Sequence, residues 1–163
     1  MLSFVRLRQS SEEHFEVFCS AFRLAPSYVY ASEGRVPTAE ELRVMFNTTA
    51  PNVIADDVFI YGLHWNEELC GCSFMVRGYP NAETAYLVLL LLSEEIQNRG
   101  VGVFALKKLS EDAVSWGCKR ISAVVDSANQ RALRFWQREG FQVTFTRELK
   151  GMVGNAVGIE REA

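Results

Sequence analysis

The sequence predicts an α/β fold with about seven strands in one mixed sheet and helices on both faces. Short apolar runs typical of strands alternate with segments of helical spacing, in the order β-α-α-β-β-β-α-β-α-β-β. The run from Tyr86 to Leu92 is apolar throughout, as expected for a strand buried on both faces, and two glycines then open a helix. The 163 residues are 48% hydrophobic and show no linker or repeat. We therefore expect a single domain over residues 1–163.

The N-terminal segment is predicted to form a strand followed by a helix. Ser3 to Arg8 alternates apolar and polar residues, which is typical of a strand. The polar residues from Ser10 to Glu13 can cap a helix that ends before Pro26. Its apolar face is expected to contain Phe15, Phe18, Cys19 and Phe22.

A second helix is predicted after an irregular segment. Ser27 to Val36 holds several tyrosines with glycine and proline nearby, and we interpret it as irregular. Thr38 and Glu41 have the spacing of a capping box, which predicts a helix that runs to about Phe46.

The middle of the chain is predicted to form a hairpin and then the central strand. Two apolar runs, Asp57 to Trp65 and Leu69 to Arg77, flank the polar residues Asn66 to Glu68. A turn from Gly78 to Glu83 leads into Tyr86 to Leu92.

The C-terminal half supplies the remaining helices and strands. The third helix is expected to end at Gly117 and to bury Val103, Leu106, Leu109, Ala113 and Trp116. The other elements are a strand from Ile121 to Val125, a helix from about Asn129 to Gly140, and strands from Phe141 to Thr146 and Ala156 to Glu160.

Composition excludes several classes of protein. A net charge of −3 and a pI near 5.5 argue against non-specific nucleic-acid binding, which depends on Lys and Arg. No apolar run reaches the roughly 18 residues of a membrane helix. The N-terminal residues turn polar and acidic too soon for a signal peptide, so we expect a cytoplasmic protein.

The four cysteines are interpreted as reduced structural thiols. Cys70 and Cys72 stand two apart within a probable strand, with no CxxC pair or nearby histidine, so we predict neither a metal site nor a disulfide framework. The four are Cys19, Cys70, Cys72 and Cys118.

The glycines after the central strand have the chemistry of an anion site. The first amides of a helix lack intrahelical partners and carry partial positive charge. Gly100 and Gly102 let a ligand oxygen approach the backbone, and Arg99 adds a cation, which fits a pyrophosphate. The alternative is that these glycines merely shape a tight turn. The P-loop motif GxxxxGK[ST] does not occur, and the third glycine of the dinucleotide fingerprint is missing, since Ala105 occupies its place.

Two longer motifs carry a resemblance. The segment 97–102, QNRGVG, resembles the Q/R-x-x-G-x-G/A signature of the GNAT superfamily of acyl-CoA-dependent N-acyltransferases. The segment 129–141, NQRALRFWQREGF, is similar to that family's later asparagine motif. The resemblance implies a mostly antiparallel sheet with a splayed central cleft, and acetyl-CoA as co-substrate. The layout agrees over nearly the whole chain, and the specific motifs lie between Leu90 and Phe141.

The resemblance also implies which residues hold acetyl-CoA. Backbone groups of the central strand would bind the pantetheine arm, amides at the helix start would bind the pyrophosphate, and the asparagine motif would form the other wall of the slot. The candidates are Leu90, Leu91, Leu92, Gln97, Asn98, Arg99, Gly100, Val101, Gly102, Val103, Asn129, Phe135 and Trp136.

The family's usual proton-transfer residues are replaced here. Many members carry a tyrosine at the eighth place of the asparagine motif, where this chain has Trp136. An indole has no proton to give near neutral pH, so we predict that Trp136 shapes the slot. Val124 stands where members acting on ribosomal-protein N-termini carry a glutamate, and Tyr86 stands where histone-acetylating members carry one.

With the family's usual proton-transfer residues replaced, Tyr86 is the remaining catalytic candidate. A phenol with a pKa near 10 is a poor base, although it can order a water. Glu83, Asp56 and Asp57 are nearby carboxylates that we interpret as solvated turn residues. We therefore predict catalysis mainly by approximation and by carbonyl polarisation from a backbone N–H.

Two functions remain open at this point. The first is an N-acetyltransferase that acts on a primary amine of a small molecule or peptide, with no nucleic-acid or membrane partner. The alternative is a non-catalytic acyl-CoA-binding sensor or partner module. A dinucleotide-binding protein is disfavoured by the missing third glycine, where this chain has alanine, and by the absence of a repeated βαβ half. Strand edges expected near the C-terminus would allow a homodimer.

Overall fold

The chain forms one seven-stranded sheet flanked by helices. The structure, a computed structural model, describes residues 1–26, 35–47, 52–97 and 99–163. The strands are β1 (Leu2–Leu7), β2 (Val58–Trp65), β3 (Glu68–Arg77), β4 (Thr84–Leu92), β5 (Arg120–Asp126), β6 (Gln142–Arg147) and β7 (Ala156–Glu162). The α-helices of the described ranges are α1 (Glu12–Arg23), α2 (Ala39–Asn47), α3 (Val101–Ser115) and α4 (Gln130–Arg138), and a 3-10 turn covers Ala55–Asp57.

The strands lie in the order β1-β2-β3-β4-β5-β7-β6. All neighbours pair antiparallel except β4 and β5, which are parallel. The fold class and the order of elements predicted from the sequence are therefore confirmed. None of the helices in the described part of the chain is long and apolar enough to cross a membrane.

Short-range signals in the sequence fix several helix ends. Thr38 Oγ1 accepts the N–H of Glu41 at 3.2 Å, and the Glu41 carboxylate accepts the N–H of Thr38 at 3.0 Å, which is the predicted capping box. Gly117 and Gly140 follow α3 and α4 with φ of +81° and +92°, values that favour glycine.

The predicted hairpin closes with two residues instead of three. Asn66 and Glu67 have φ of +50° and +72°, as in a type I′ turn, and Glu68 already belongs to β3. The predicted irregular segment, Ser27 to Val36, lies mostly outside the described residues.

Helices cover β4 from both faces, which explains its continuous apolar sequence. Leu91 packs into a cluster with Phe18 of α1 and Phe46 of α2. Leu87 points to the opposite face and packs with Leu109 of α3. Burial of side chains on opposite faces is the pattern expected for a central strand.

One expectation about α3 is wrong. Val103 is 43% exposed, whereas Val101 and Ala105 are buried. Val103 lies two residues after Val101, or about 200° around the helix, so it faces away from the sheet. Trp116 is half-buried and stacks on Phe59 of β2, with ring centroids 4.4 Å apart.

Candidate active site

The central cleft begins where β4 and β5 part. Their parallel pairing covers only Thr84–Leu87 of β4 and 120–123 of β5. Beyond Leu87 the two strands continue without pairing to each other, for five residues in β4 and three in β5. Backbone N–H and C=O groups of both strands are thus available to a ligand that lies between them.

A β-bulge marks the start of this cleft. Phe74 of β3 is opposite Leu89, and Met75 is opposite Leu87, so Val88 is the extra residue on β4. Its side chain is 38% exposed. Bulges break the regular ladder and redirect local backbone groups, and they are common beside active sites. At this bulge, β4 therefore has backbone N–H and C=O groups that do not take part in the regular ladder with β3.

The helix start beside the cleft has the geometry of an anion site. Gly100 precedes α3 with φ of +77°, and no side chain caps the helix. The amides of Val101, Gly102 and Val103 donate no hydrogen bond to another described residue. Gln97 Nε2 donates to the Leu92 carbonyl at 2.8 Å, which ties the preceding turn to the end of β4. The three amides can therefore donate to an anion at this end of the cleft.

Gly102, in the first sequence motif, lies against Phe135, in the second. A Cβ placed on Gly102 would lie 3.1 Å from Phe135 Cε1, tighter than ordinary contact. The half-buried Phe135 ring therefore packs directly on the backbone of the first turn of α3. Arg99 is exposed beside this turn, while Asn98 lies outside the described residues.

Trp136 and Asn129 are structural parts of the second motif. Trp136 is only 7% exposed and packs edge-on against Phe135 and Phe141, with centroid distances of 5.0 and 5.1 Å. The Asn129 side chain accepts the N–H of Ala132 at 3.1 Å and so caps α4. Asn129 thereby fixes the start of the helix that carries both aromatic residues.

Tyr86 lies on β4 just before the cleft opens. It is in register with Ser122 of β5, and its ring meets Tyr79 edge-on at 5.5 Å. Burial raises the pKa of Tyr86 above its ordinary value of 10.0; the Tyr79 phenol raises it further, and the charge of Arg147 opposes the rise. Tyr86 is therefore a neutral phenol at physiological pH, able to donate a hydrogen bond but not to act as a base.

Two of the three carboxylates considered from the sequence form ion pairs outside the cleft. Glu83 pairs with Lys119 at 2.9 Å, and its pKa is lowered mainly by that hydrogen bond. Asp57 pairs with Arg77 at 2.9 Å. Both lie at the ends of strands rather than in the cleft, in agreement with their interpretation as turn residues.

Three features of this region were not identified in the sequence. The Val88 bulge lies inside an all-apolar run and leaves no local signal. Asp126 is buried at the end of β5 and accepts the backbone N–H groups of Val153 and Gly154 from the β6–β7 loop, at 3.1 and 2.9 Å. Arg147 ends β6, and alternation along that strand predicts only that it shares a face with Phe145.

Comparison with known proteins identifies the family. Residues 12–141 match the acetyltransferase (GNAT) family, and the chain belongs to that family. An acetyltransferase from Thermus thermophilus is 27% identical, with a TM-score of 0.79 over 100% of this chain and 97% of that one. No curated protein sequence matches the chain.

Two more distant structures share the fold alone. An aminoglycoside acetyltransferase in complex with coenzyme A is 16% identical, with a TM-score of 0.71 over 99% of this chain and 95% of that one. The ribosomal-protein-S18-alanine N-acetyltransferase of Escherichia coli is 13% identical, with a TM-score of 0.69 over 99% and 94%.

Proposed function

We propose that residues 1–163 act as one N-acetyltransferase domain that transfers the acetyl group of acetyl-CoA to a primary amine of a small molecule or peptide. The observation that carries the proposal is the unpaired stretch of β4, which leads directly into an uncapped helix start. A long cleft with free backbone groups at its side and an anion site at its end suits a pantetheine arm followed by a pyrophosphate.

Each part of the cofactor has matching groups in the chain. Amides of Val101 to Val103, with Arg99 nearby, would hold the pyrophosphate. Backbone of Leu90 to Leu92 would pair with the pantetheine amides, on the side of β4 that β5 leaves free. Phe135 would form the opposite wall, since its ring already lies against Gly102.

The chain's own groups account for each catalytic requirement. Bound acetyl-CoA supplies the thioester whose C–S bond breaks as the C–N bond to the amine forms. A backbone N–H at the Val88 bulge would polarise the thioester carbonyl. The Tyr86 phenol would orient a water that carries a proton from the amine to the departing thiolate, so the phenol itself stays neutral.

The same observations also fit the second candidate, a module that binds acyl-CoA without catalysis. Tyr86 cannot serve as a base, and Trp136 is packed in the core. A module that binds acyl-CoA without catalysis would need only the cleft and the helix start.

The test combines binding with product analysis. Purified protein is mixed with acetyl-CoA and a panel of primary amines, and acetylated products are identified by mass spectrometry. We expect micromolar acetyl-CoA binding by calorimetry and acetylation of at least one amine. Binding without any acetylated product would favour the non-catalytic module, and absence of binding would contradict both functions.

Gly102→Glu places bulk and negative charge in the anion site and should weaken acetyl-CoA binding. Loss of one or two charge-assisted contacts, each worth roughly 1.5–3 kcal/mol, gives a drop of at least about tenfold. Val114→Glu is the matched control, because Val114 is 58% exposed on the last turn of the same helix. Unchanged affinity in a folded Gly102→Glu protein would show that the cofactor site is misplaced.

A further inference from the structure

Arg147 lies on the same face of the sheet as Tyr86. Strand register places Tyr86 beside Ser122, and alternation along β5 then puts Asp126 on that same face. Asp126 is in register with Ala156 of β7, and Ala156 with Arg147 of β6. Arg147 is thus level with the open part of the cleft, across the sheet from β4.

Packing keeps the Arg147 guanidinium close to the sheet. Its Cζ lies 4.9 Å from the centre of the Phe145 ring. The Phe145 ring in turn covers Gly158, where an added Cβ would be only 2.1 Å from Cε1. A guanidinium stacked on a fixed aromatic ring loses less conformational entropy on binding a ligand than a free side chain does.

Arg147 has no carboxylate partner in the described ranges, whereas Arg120 on the same face of the sheet has two. Arg120 contacts Glu160 at 3.4 Å and Glu83 at 3.9 Å. Within the described part of the chain, the Arg147 side chain forms neither an ion pair nor a hydrogen bond. The positive charge of Arg147 also acts on the phenol of Tyr86, where it opposes the rise in pKa that burial causes.

We infer that Arg147 binds an acidic group, a carboxylate or a phosphoryl group, on the acceptor amine. An exposed planar guanidinium with no counter-ion among the described residues matches such a group with two parallel hydrogen bonds. The acceptor would then span from Arg147 to the Tyr86 side of the cleft, with its amine toward β4. This inference rests on the proposed function, because it assigns the substrate class of the same site.

The test compares amines that differ only in the acidic group. Two matched pairs are L-methionine with its methyl ester, and 3-aminopropylphosphonate with its diethyl ester. Calorimetry measures their binding to protein saturated with coenzyme A, so the result does not depend on turnover. We expect the acid of at least one pair to bind about tenfold or more tightly than its ester, and the pair that discriminates identifies carboxylate or phosphoryl as the preferred group.

Variants assign that preference to Arg147. Arg147→Gln should bring acid and ester within about twofold of each other, and Arg147→Lys should keep part of the preference because it keeps the charge. Arg8→Gln, which removes one positive charge beside β1 at the opposite edge of the sheet, should keep the full preference.

Two outcomes would overturn the inference. One is equal binding of acid and ester to the wild-type protein in both pairs. The other is a preference that survives in Arg147→Gln. Failure of the proposed function would be distinct from either, because it would appear as loss of acetyl-CoA binding or turnover in the wild-type protein.

Discussion

At the scale of single residues, the two adjacent aromatic residues of the asparagine motif, Phe135 and Trp136, differ in what they pack against. Phe135 is half-buried and packs against Gly102 in the first turn of α3, whereas Trp136 is buried between Phe135 and Phe141. Adjacent residues on a helix point about 100° apart, so the two rings lie in different surroundings. The motif alone identifies both as candidates, and only the packing of α4 separates a wall residue from a core residue.

Trp136 should therefore matter for stability and not for proton transfer. Trp136→Ala is expected to lower the free energy of unfolding by roughly 3–5 kcal/mol, as for other large buried aromatic residues. Trp136→Phe should lose less and keep most of kcat, with an unchanged pH profile. Denaturant unfolding and initial rates measure the two effects. If Trp136→Phe removed turnover in a folded protein with normal acetyl-CoA affinity, the indole N–H would have a direct part in the reaction.

Glycine and cap residues were predictable because their signals are local. Gly117 and the pair Thr38 and Glu41 act within one helical turn, so spacing alone identifies them. Arg147 and Val88 were not predictable in this way. Their roles depend on which strand lies next to them, and sequence alternation does not record strand neighbours.

At the scale of elements, the loop between β6 and β7 is held by the end of β5. Both carboxylate oxygens of Asp126 accept backbone N–H groups, from Ala128, Val153 and Gly154, at 2.9 to 3.1 Å. A Cβ on Gly154 would lie 2.7 Å from Asp126 Oδ1, so this close approach requires glycine. Asp126 thus ties the turn that begins the asparagine motif to the loop after Arg147, beside a hydrogen bond from the Asn155 N–H to Ser127 Oγ at 2.8 Å.

Asp126→Asn should loosen this loop. The amide keeps one acceptor oxygen but turns an NH₂ toward an N–H group, which costs roughly 1–3 kcal/mol for a buried site. Trypsin cleavage after Lys150, an exposed residue of the loop, should become about tenfold faster or more. Glu160→Gln is the control, since it changes a partly exposed carboxylate on β7 and leaves the loop bonds intact. Unchanged cleavage in Asp126→Asn would contradict the anchoring role.

The element order was predictable and the cleft geometry was not. Apolar runs, caps and glycines define where strands and helices occur, and the observed strand ends differ from the predicted ones by at most two residues. The point at which β4 leaves β5 follows from long-range pairing and from the bulge at Val88. In a run of seven apolar residues, from Tyr86 to Leu92, nothing in the sequence distinguishes paired from unpaired backbone.

At the scale of the whole molecule, the buried thiols link stability to alkaline pH. All four cysteines are free and buried. Burial raises the pKa of Cys70 from 9.0 to about 11 and raises that of Cys72 further. Above pH 9 the unfolded chain releases thiol protons that the folded chain retains. The unfolded state is then favoured as pH rises.

The free energy of unfolding should be level from pH 7 to about 8.5 and fall between pH 9 and 11. Each retained proton contributes a slope of up to about 1.4 kcal/mol per pH unit. Denaturant unfolding at a series of pH values measures the slope. For Cys70→Ala, the fall in unfolding free energy with pH should be less steep than for the wild-type protein, by up to the contribution of one retained proton. This holds whatever the stability of the variant at pH 7. An identical slope in this variant would show that Cys70 ionises equally in both states.

The short pairing between β4 and β5 also has a mechanical consequence. Within the sheet, a seam of four residues in each strand joins β1 to β4 with β5, β6 and β7. One apolar core, which includes Leu87 of β4, Leu109 of α3 and Ile121 of β5, also joins the two halves on one face of the sheet. A ligand bound to backbone on β4 would replace part of the missing seam. Filling the cleft would therefore stiffen the sheet at the place where its own pairing stops.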